Sequence, residues 1–406
     1  MDCWMSCTST DMLPKNFCIA PFIQHTTHPS GSSSPCPYLG GTVFFNQHKT
    51  ILDQWLDPEL DKLRNDFLNN QQNPICNRCW NEEAHGKRSL RQRLFDVDNE
   101  SSDYQFSQIP GFAELLEDTI LDQSFKHGPK ILTIKNGNIC NARCRICYPE
   151  CSSRWIADAR KINILTKQSW YNETVVEQNW SDSQIEEIVD LSKNLSRLEL
   201  FGGEPLYNKQ VKKLLDQIID AGHAKNITLY INTNGTVNFL ETLPNVTNFK
   251  NLEIGVSIDG VGAQFNYIRN GADYAQVIAN VRKWKKELSP DWFWIDCITT
   301  VNILNIYYLP EIKSEMTSIF GMSPFWNLLV EPKYLSIVNM PASVKSCVEG
   351  KLSSDVEFAD LISTMHQTED LLQWDKFKNF TKSMDEIRNE SFATTFPDFF
   401  EICSLH

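Results

Sequence analysis

The feature that most constrains the fold of this chain is a regular alternation of apolar and amphipathic segments from about residue 127 onward. The apolar segments have the length of strands, and those between them, such as 210–221, 274–288 and 310–320, place apolar residues at helical spacing. Strands separated by helices predict parallel pairing through right-handed crossovers. The pattern therefore predicts an α/β fold, a partial (β/α)6 barrel of the TIM type. The predicted strands are 130–135, 196–201, 227–232, 252–258, 293–301 and 326–330.

Three cysteines follow the first of these strands, at the end where parallel barrels carry their functional residues. They are Cys140, Cys144 and Cys147. Three thiolates can hold three corners of a cubic iron–sulfur cluster and leave the fourth iron open for another ligand. A structural cluster or a zinc site normally has four protein ligands, so an open iron indicates chemistry. A zinc knuckle and three buried thiols are the alternatives.

A Gly202-Gly203-Glu204-Pro205 run follows the second predicted strand. Two glycines allow the backbone to approach a ligand closely. Backbone carbonyls freed in such a turn can accept hydrogen bonds from an ammonium group, and the carboxylate of Glu204 adds charge complementarity. A tight loop without a ligand is the alternative for the Gly-Gly pair alone.

Short polar side chains end the third and fourth predicted strands. Thr233 and Asn234 could reach the hydroxyl groups of a ribose, although an Asn-Gly turn explains them equally well. Ser257 and Asp259 are candidates for ribose or carboxylate contacts. Arg269 follows them, and its guanidinium can bind a carboxylate with two hydrogen bonds. A surface ion pair is the alternative for Arg269.

The Cys-x3-Cys-x2-Cys triplet, with the Gly-Gly-Glu-Pro turn one strand later, resembles the radical SAM superfamily. The resemblance implies a 4Fe-4S cluster whose open iron is chelated by S-adenosylmethionine, which is cleaved to a 5′-deoxyadenosyl radical. It implies that the Gly-Gly-Glu-Pro turn binds the methionine amino group, and it matches the Ser257–Asp259 region to the family's Ser-Ile-Asp-Gly element. The family often has an aromatic residue just before the third cysteine. This chain has Ile146 there, so adenine contact is retained but stacking is lost.

A second set of cysteines, Cys18, Cys36, Cys76 and Cys79, lies in the N-terminal segment. Four thiolates close a site completely, and Cys-x2-Cys serves iron–sulfur and zinc sites alike. With Gly31, the spacing resembles the twitch domain, a shortened SPASM-like domain that carries one auxiliary cluster, expected to be 4Fe-4S. Zinc is the alternative metal. The predicted domains are 1–126, twitch-like; 127–340, the radical SAM barrel; and 341–406, a helical C-terminal extension.

The length, cysteine content and net charge of the chain indicate its cell compartment and the kinds of partner it could bind. The chain has 406 residues, no apolar run long enough to span a membrane, and no basic-then-apolar start of a signal peptide. Seven of the thirteen cysteines fall in two motifs with metal-ligand spacings, which favours metal binding in a reducing cytoplasm. The formal net charge of −13 argues against a nucleic-acid backbone as the main partner.

The predicted function is that of a radical SAM enzyme that abstracts a hydrogen atom from a peptide or from a small or conjugated metabolite. The resemblance also implies a reducing partner such as flavodoxin or ferredoxin. A non-catalytic iron–sulfur electron carrier or scaffold explains both cysteine sets but not the motifs at successive strand ends. The motifs assign no catalytic residue; Cys151, and Cys297 if its thiol faces the barrel lumen, are candidate hydrogen-atom donors.

Overall fold

The described strands form one sheet. A computed structural model describes residues 14–36, 39, 44–45, 50–84, 88–94, 124–172 and 175–404. The sheet has the order β3-β2-β1-β4-β5-β6-β7-β8-β9, and the strands from β4 to β9 pair in parallel in chain order. This confirms the predicted α/β fold with a parallel sheet. The strands are β1 (Gln24–Thr27), β2 (Ser32–Ser34), β3 (Phe44–Phe45), β4 (Ile131–Lys135), β5 (Arg197–Phe201), β6 (Thr228–Thr233), β7 (Asn251–Ser257), β8 (Phe293–Val301) and β9 (Phe325–Leu328).

Helices connect the parallel strands, and their sequences explain where they begin and which side they bury. Asn208 caps one helix, which buries Val211, Leu214, Leu215 and Ile218, the spacing of a single helix face. The helices before the parallel strands are α1 (Ala20–Ile23), α2 (Ile51–Trp55), α3 (Pro58–Leu68), α4 (Asn77–Ala84) and α5 (Leu90–Arg93). Those among the strands are α6 (Trp155–Thr166), α7 (Asp182–Ser192), α8 (Lys209–Asp220), α9 (Phe239–Thr242), α10 (Ala263–Ile268), α11 (Tyr274–Glu287) and α12 (Leu309–Phe320).

The C-terminal extension is helical, as predicted, but it is polar on one side only. Trp374, Phe377, Phe380 and Met384 are buried and join the same hydrophobic core as the barrel. Its helices are α13 (Ala342–Leu352), α14 (Ala359–Met365), α15 (Leu371–Arg388), α16 (Phe392–Thr395) and α17 (Pro397–Ser404). None of the helices described here is long and apolar enough to cross a membrane.

The N-terminal segment adds strands to the barrel sheet. β1 runs parallel to β4, with His25 opposite Leu132, and β2 pairs antiparallel with β1. β1 is not predicted by the sequence pattern, because Gln24-His25-Thr26-Thr27 is polar, yet all four residues are buried. The predicted division into domains remains a prediction.

The two faces of the parallel sheet differ. Leu198, Leu229 and Leu252 belong to the apolar core that the helices share. On the opposite face Thr133 donates a hydrogen bond to Glu199 at 2.7 Å, and Arg197 contacts both Glu199 at 2.7 Å and Glu253 at 2.8 Å. We call this the inner face. Its charged side chains are paired with one another rather than packed in an apolar core.

We expect Arg197→Met to lower the free energy of unfolding by about 3–5 kcal/mol, because Glu199, with 1% of its side chain exposed, would keep a buried charge without its partner. Urea denaturation measures the change. Lys212→Met is the matched control: its ion pair with Asp216 lies exposed on α8, so the loss should stay below about 1 kcal/mol. Equal losses in the two variants would contradict the role given to the inner-face network.

Candidate active site

The cysteine triplet lies in the loop that follows β4, here called the cysteine loop (residues 140–147). Cys140 and Cys144 are buried, and Cys147 packs against them. The Cys144 and Cys147 thiols hydrogen-bond to each other. Within the described part of the chain, no three His, Cys, Asp or Glu side chains are arranged to hold a single metal ion. The structure thus brings the three predicted cluster ligands together on one buried loop.

Burial and the hydrogen bond between Cys144 and Cys147 together control the protonation of these thiols. The hydrogen bond with Cys147 lowers the pKa of Cys144 to about 7, against the effect of burial. Desolvation, then the neighbouring Cys144 and Glu204, raise the pKa of Cys140 to about 12. The hydrogen bond with Cys144, together with burial, raises the pKa of Cys147 well above its ordinary value. Three thiolates in this loop therefore need a nearby positive charge, and a bound metal supplies one because it deprotonates its thiol ligands. The donor set fits an iron–sulfur cluster, whose binding would release protons.

The Gly-Gly turn after β5 touches the chain immediately before the cysteine loop. Gly202 and Gly203 have φ values of +86° and +52°. A Cβ added to Gly203 would lie 2.2 Å from the carbonyl oxygen of Ile139. The backbone N–H of Glu204 donates to that same carbonyl at 2.8 Å. Only glycine fits at residue 203, and the turn and the loop are held in contact.

The Glu204 carboxylate bridges the ends of β5 and β6. It accepts hydrogen bonds from the Thr233 hydroxyl at 2.7 Å, from the backbone N–H of Asn234 at 2.6 Å and from that of Leu206 at 3.1 Å. Burial raises its pKa to about 7, and these three donors oppose the rise. All three partners donate, which favours the ionised carboxylate. The side chain acts here as a brace between two strand ends; Pro205 beside it is buried.

The polar groups after β6 and β7 also bond within the protein. The Asn234 amide donates to the Asn141 side chain at 2.9 Å, which links the end of β6 to the cysteine loop. The Ser257 hydroxyl donates to the Asn232 side chain at 2.9 Å. Thr233 and Asn234, proposed from the sequence for ribose contacts, thus lie beside the cysteine loop, and Ser257 lies one strand further along the same edge.

Asp259 and Arg269 form a buried ion pair near the triplet. The Arg269 Nε atom lies 2.8 Å from Asp259 Oδ2, and the backbone N–H of Thr300 donates to Asp259 Oδ1 at 2.7 Å. The hydrogen bond with Cys147 is the main cause that lowers the pKa of the Cys144 thiol; burial opposes it, and the nearby charge of Arg269 adds to the lowering. A guanidinium has five N–H donors, so the pair leaves donors for a ligand carboxylate. Ile146, the predicted adenine neighbour, is partly buried against the cysteines.

The other four predicted ligands line one cavity in the N-terminal segment. A cavity of about 30 Å³ is bordered by Cys18, Cys36, Cys76 and Cys79, together with apolar side chains such as Phe67. Burial raises the pKa of Cys18, and it raises that of Cys76 to about 12. A cavity lined by four thiols fits a cluster with four cysteine ligands.

The basic residues that follow Cys79 lie in different environments. Lys87 lies outside the described residues, and Arg88 is exposed. Arg91 is buried beside the four-cysteine cavity, where Glu83 accepts both its Nε and its Nη2 hydrogen bonds, at 2.9 and 2.5 Å. Its Nη1 donates to the carbonyl of Phe17 at 2.8 Å, next to Cys18. Arg91 therefore ties the Cys18 segment to the Cys76-x2-Cys79 helix.

The two cysteine sets lie toward opposite edges of the sheet. The triplet follows the C-terminal end of β4, whereas Cys18 precedes β1, which runs parallel to β4. Cys36 follows β2, which runs antiparallel to β1 and so ends at the N-terminal edge. Five residues of strand span about 16 Å. The length of the sheet thus separates the two sites.

The structure adds residues that motif reading missed. Lys135 ends β4 beside Phe201 of β5, and burial lowers its pKa. Cys151 lies near Lys135 and bonds to the Tyr148 hydroxyl. Alternation along the strands could have indicated Lys135, since it shares the inner face with Thr133.

Cys297 belongs to the apolar layer that the helices cover, so the lumen-facing position required of a donor is not met.

Residues 134–312 match the family model described as the Radical SAM superfamily. This segment includes the cysteine triplet, the Gly-Gly-Glu-Pro turn and Arg269. The predicted resemblance to this superfamily is therefore confirmed for this segment of the chain. Curated protein sequences give no match to the chain.

Solved structures align with little sequence identity. Native anSMEcpe with bound AdoMet aligns at 16% identity over 59% of this chain and 64% of its own, with a TM-score of 0.39. Streptococcus suis SuiB bound to S-adenosylmethionine aligns at 11% over 94% and 78%, also at 0.39. SuiB bound to precursor peptide SuiA aligns at 13% over 80% and 64%, at 0.35. The chain thus covers less than two thirds of the length of anSMEcpe.

Gly203→Ala should displace the cysteine loop, because its Cβ would collide with the Ile139 carbonyl. We expect iron bound by the triplet, measured after anaerobic reconstitution, to fall together with the melting temperature. Gly222→Ala is the matched control: Gly222 also has a positive φ, +75°, but no atom lies within 4 Å of the added Cβ. In that variant the free energy of unfolding should fall only by the cost of placing alanine in a left-handed conformation, about 1–2 kcal/mol. Similar iron loss in both variants would refute the predicted contact.

Proposed function

We propose that the chain reductively cleaves S-adenosylmethionine to a 5′-deoxyadenosyl radical that abstracts a hydrogen atom from a substrate. The observation that carries the proposal is the contact between the Gly203 turn and the carbonyl of Ile139, directly before Cys140. In this arrangement the Gly202–Pro205 turn, which would bind the amino group, lies beside the cysteine loop. The cluster on that loop would have an open iron. An electron carrier has no need for that pairing.

Each residue of the site has a separate part in this proposal. Cys140, Cys144 and Cys147 would hold the cluster. The turn from Gly202 to Pro205 would accept the methionine amino group through its backbone carbonyls, while the Glu204 carboxylate braces the turn against β6. Contacts to the remainder of S-adenosylmethionine are proposed for Ile146, Thr233, Asn234, Ser257, Asp259 and Arg269.

The Asp259–Arg269 pair supports the assignment of the methionine carboxylate. Arg269 is 7% exposed and lies near Cys144, so a carboxylate placed there would meet a guanidinium shielded from water. Charge-assisted hydrogen bonds strengthen where water is excluded. Asp259 fixes the orientation of the guanidinium at 2.8 Å.

For the four-cysteine cavity we propose an auxiliary cluster, 4Fe-4S, held by Cys18, Cys36, Cys76 and Cys79. Four thiolates would leave no iron open, and the cavity lies toward the edge of the sheet opposite the triplet. Both points favour a part in ordering the N-terminal strands or in passing electrons, rather than direct binding of substrate. Zinc in this cavity is the alternative that iron analysis would reveal.

The substrate is proposed to be a peptide or a small or conjugated metabolite, and the reductant a flavodoxin or ferredoxin. A substrate with polar groups is favoured by Lys135, which ends β4 on the inner face, at the edge of the sheet where the triplet lies.

The test is 5′-deoxyadenosine formation by the anaerobically reconstituted protein with S-adenosylmethionine and dithionite. We expect product from the wild type, with about eight iron atoms per chain, the content of two 4Fe-4S clusters. The matched control replaces Cys140, Cys144 and Cys147 by alanine; it should retain about four iron atoms and form no product.

Loss of all iron in the triple variant would mean that the two cysteine sets are not independent. A wild type that fills both sites, yet neither binds nor cleaves S-adenosylmethionine, would support an electron carrier and end the proposal. Zinc with about four iron atoms in the wild type would overturn only the auxiliary cluster.

A further inference from the structure

The last turn of the C-terminal helix α15 is tied to the cysteine loop through Arg145. The Arg145 side chain is fully buried, and its Nη2 donates to Asp385 at 2.6 Å and to Glu390 at 2.7 Å. Its guanidinium lies 3.7 Å from the centre of the Tyr267 ring. The Tyr267 hydroxyl donates to Asp385 at 2.7 Å, which closes the arrangement.

A second tie lies on the other side of Cys144. The Arg388 side chain is fully buried; its Nε donates to Asp158 at 3.0 Å and its Nη2 to the backbone carbonyl of Arg143 at 2.8 Å. Arg143 itself donates to Asp158 at 3.1 Å. The Trp155 indole donates to the carbonyl of Cys144 at 2.6 Å. The backbone on both sides of Cys144 is thus fixed by side chains from α6 and α15.

The charges in this network balance. Three guanidinium groups meet three carboxylates, and two of the arginines and Asp158 are completely buried. Removing one member of a buried network leaves its partner charged without compensation, which costs far more than losing a surface pair. Arg145 and Asp385 are 240 residues apart in sequence. The network therefore holds the C-terminal extension against the cysteine loop rather than stabilising a single helix.

We propose that the C-terminal extension positions the cysteine loop, with Arg388, Asp385 and Glu390 acting as positioning residues for Cys144. The inference rests on the proposed function of the loop. It also means that the cluster site is incomplete without residues 371–390, although the family-model match ends at residue 312.

Hydrogen–deuterium exchange of the metal-free protein tests the positioning directly. In the loop the N–H groups of Arg143 and Arg145 donate to the carbonyls of Asn270 and Ile268, at 2.8 and 2.6 Å. Arg388→Met should raise exchange of these amides about tenfold or more and leave β5–β7 unchanged. Lys378→Met is the matched control on the same helix, since its ion pair with Asp375 is exposed.

A milder variant, Asp385→Asn, keeps the shape of the side chain and allows work on the loaded protein. We expect 5′-deoxyadenosine formation to fall about tenfold or more, because small displacements of reacting groups are costly. The electron paramagnetic resonance spectrum of the reduced triplet-bound cluster should lose its response to S-adenosylmethionine. Iron at the four-cysteine cavity should remain near wild type, whereas the melting temperature should fall, because Arg145 keeps only one of its two buried carboxylate partners.

Unchanged loop exchange in Arg388→Met would overturn the inference. So would a normal spectral response in Asp385→Asn. If the wild type itself forms no 5′-deoxyadenosine and binds no S-adenosylmethionine, the proposed function fails, and the exchange experiment still decides whether α15 holds the loop.

Discussion

Parallel pairing of β4 to β7 is the constraint on which the candidate site depends. Because these strands pair in chain order and in one direction, the segments that follow them leave the sheet at one edge. Motifs that are separated by tens of residues in sequence therefore meet in space. The Glu204 carboxylate shows the result directly, since it joins the turn after β5 to the end of β6 through hydrogen bonds at 2.6 and 2.7 Å.

The cysteine loop is supported from several directions, and the supports differ in kind. The Gly203 turn contacts it through the backbone, where a side chain would collide at 2.2 Å. Asn234 joins it by a neutral hydrogen bond, and the C-terminal helix joins it by buried ion pairs through Arg145 and Arg388. A loop that holds a reactive cofactor needs such fixed geometry, because its thiols cannot orient themselves by packing alone.

Much of this organisation could be predicted from the sequence, and the exceptions have physical causes. Apolar periodicity indicated the parallel strands and the helices between them, since those elements bury one continuous core. β1 was missed because all four of its residues are polar although they are buried, so no apolar signal marks the strand. One of them, Gln24, donates a hydrogen bond to the Thr133 hydroxyl at 3.1 Å. Arg91 and Arg388 carry no motif; their roles depend on partners that are distant in sequence. The assignments of individual S-adenosylmethionine contacts and of the auxiliary cluster remain predictions.

The most direct test of the central claim is electron–nuclear double resonance on the reduced protein with S-adenosylmethionine labelled with ¹⁵N at the amino group and ¹⁷O at the carboxylate. The account predicts hyperfine coupling of both labels to one cluster, and loss of that coupling when Cys140, Cys144 and Cys147 are replaced. A reduced cluster in the triplet with bound S-adenosylmethionine but no coupling to either label would contradict it.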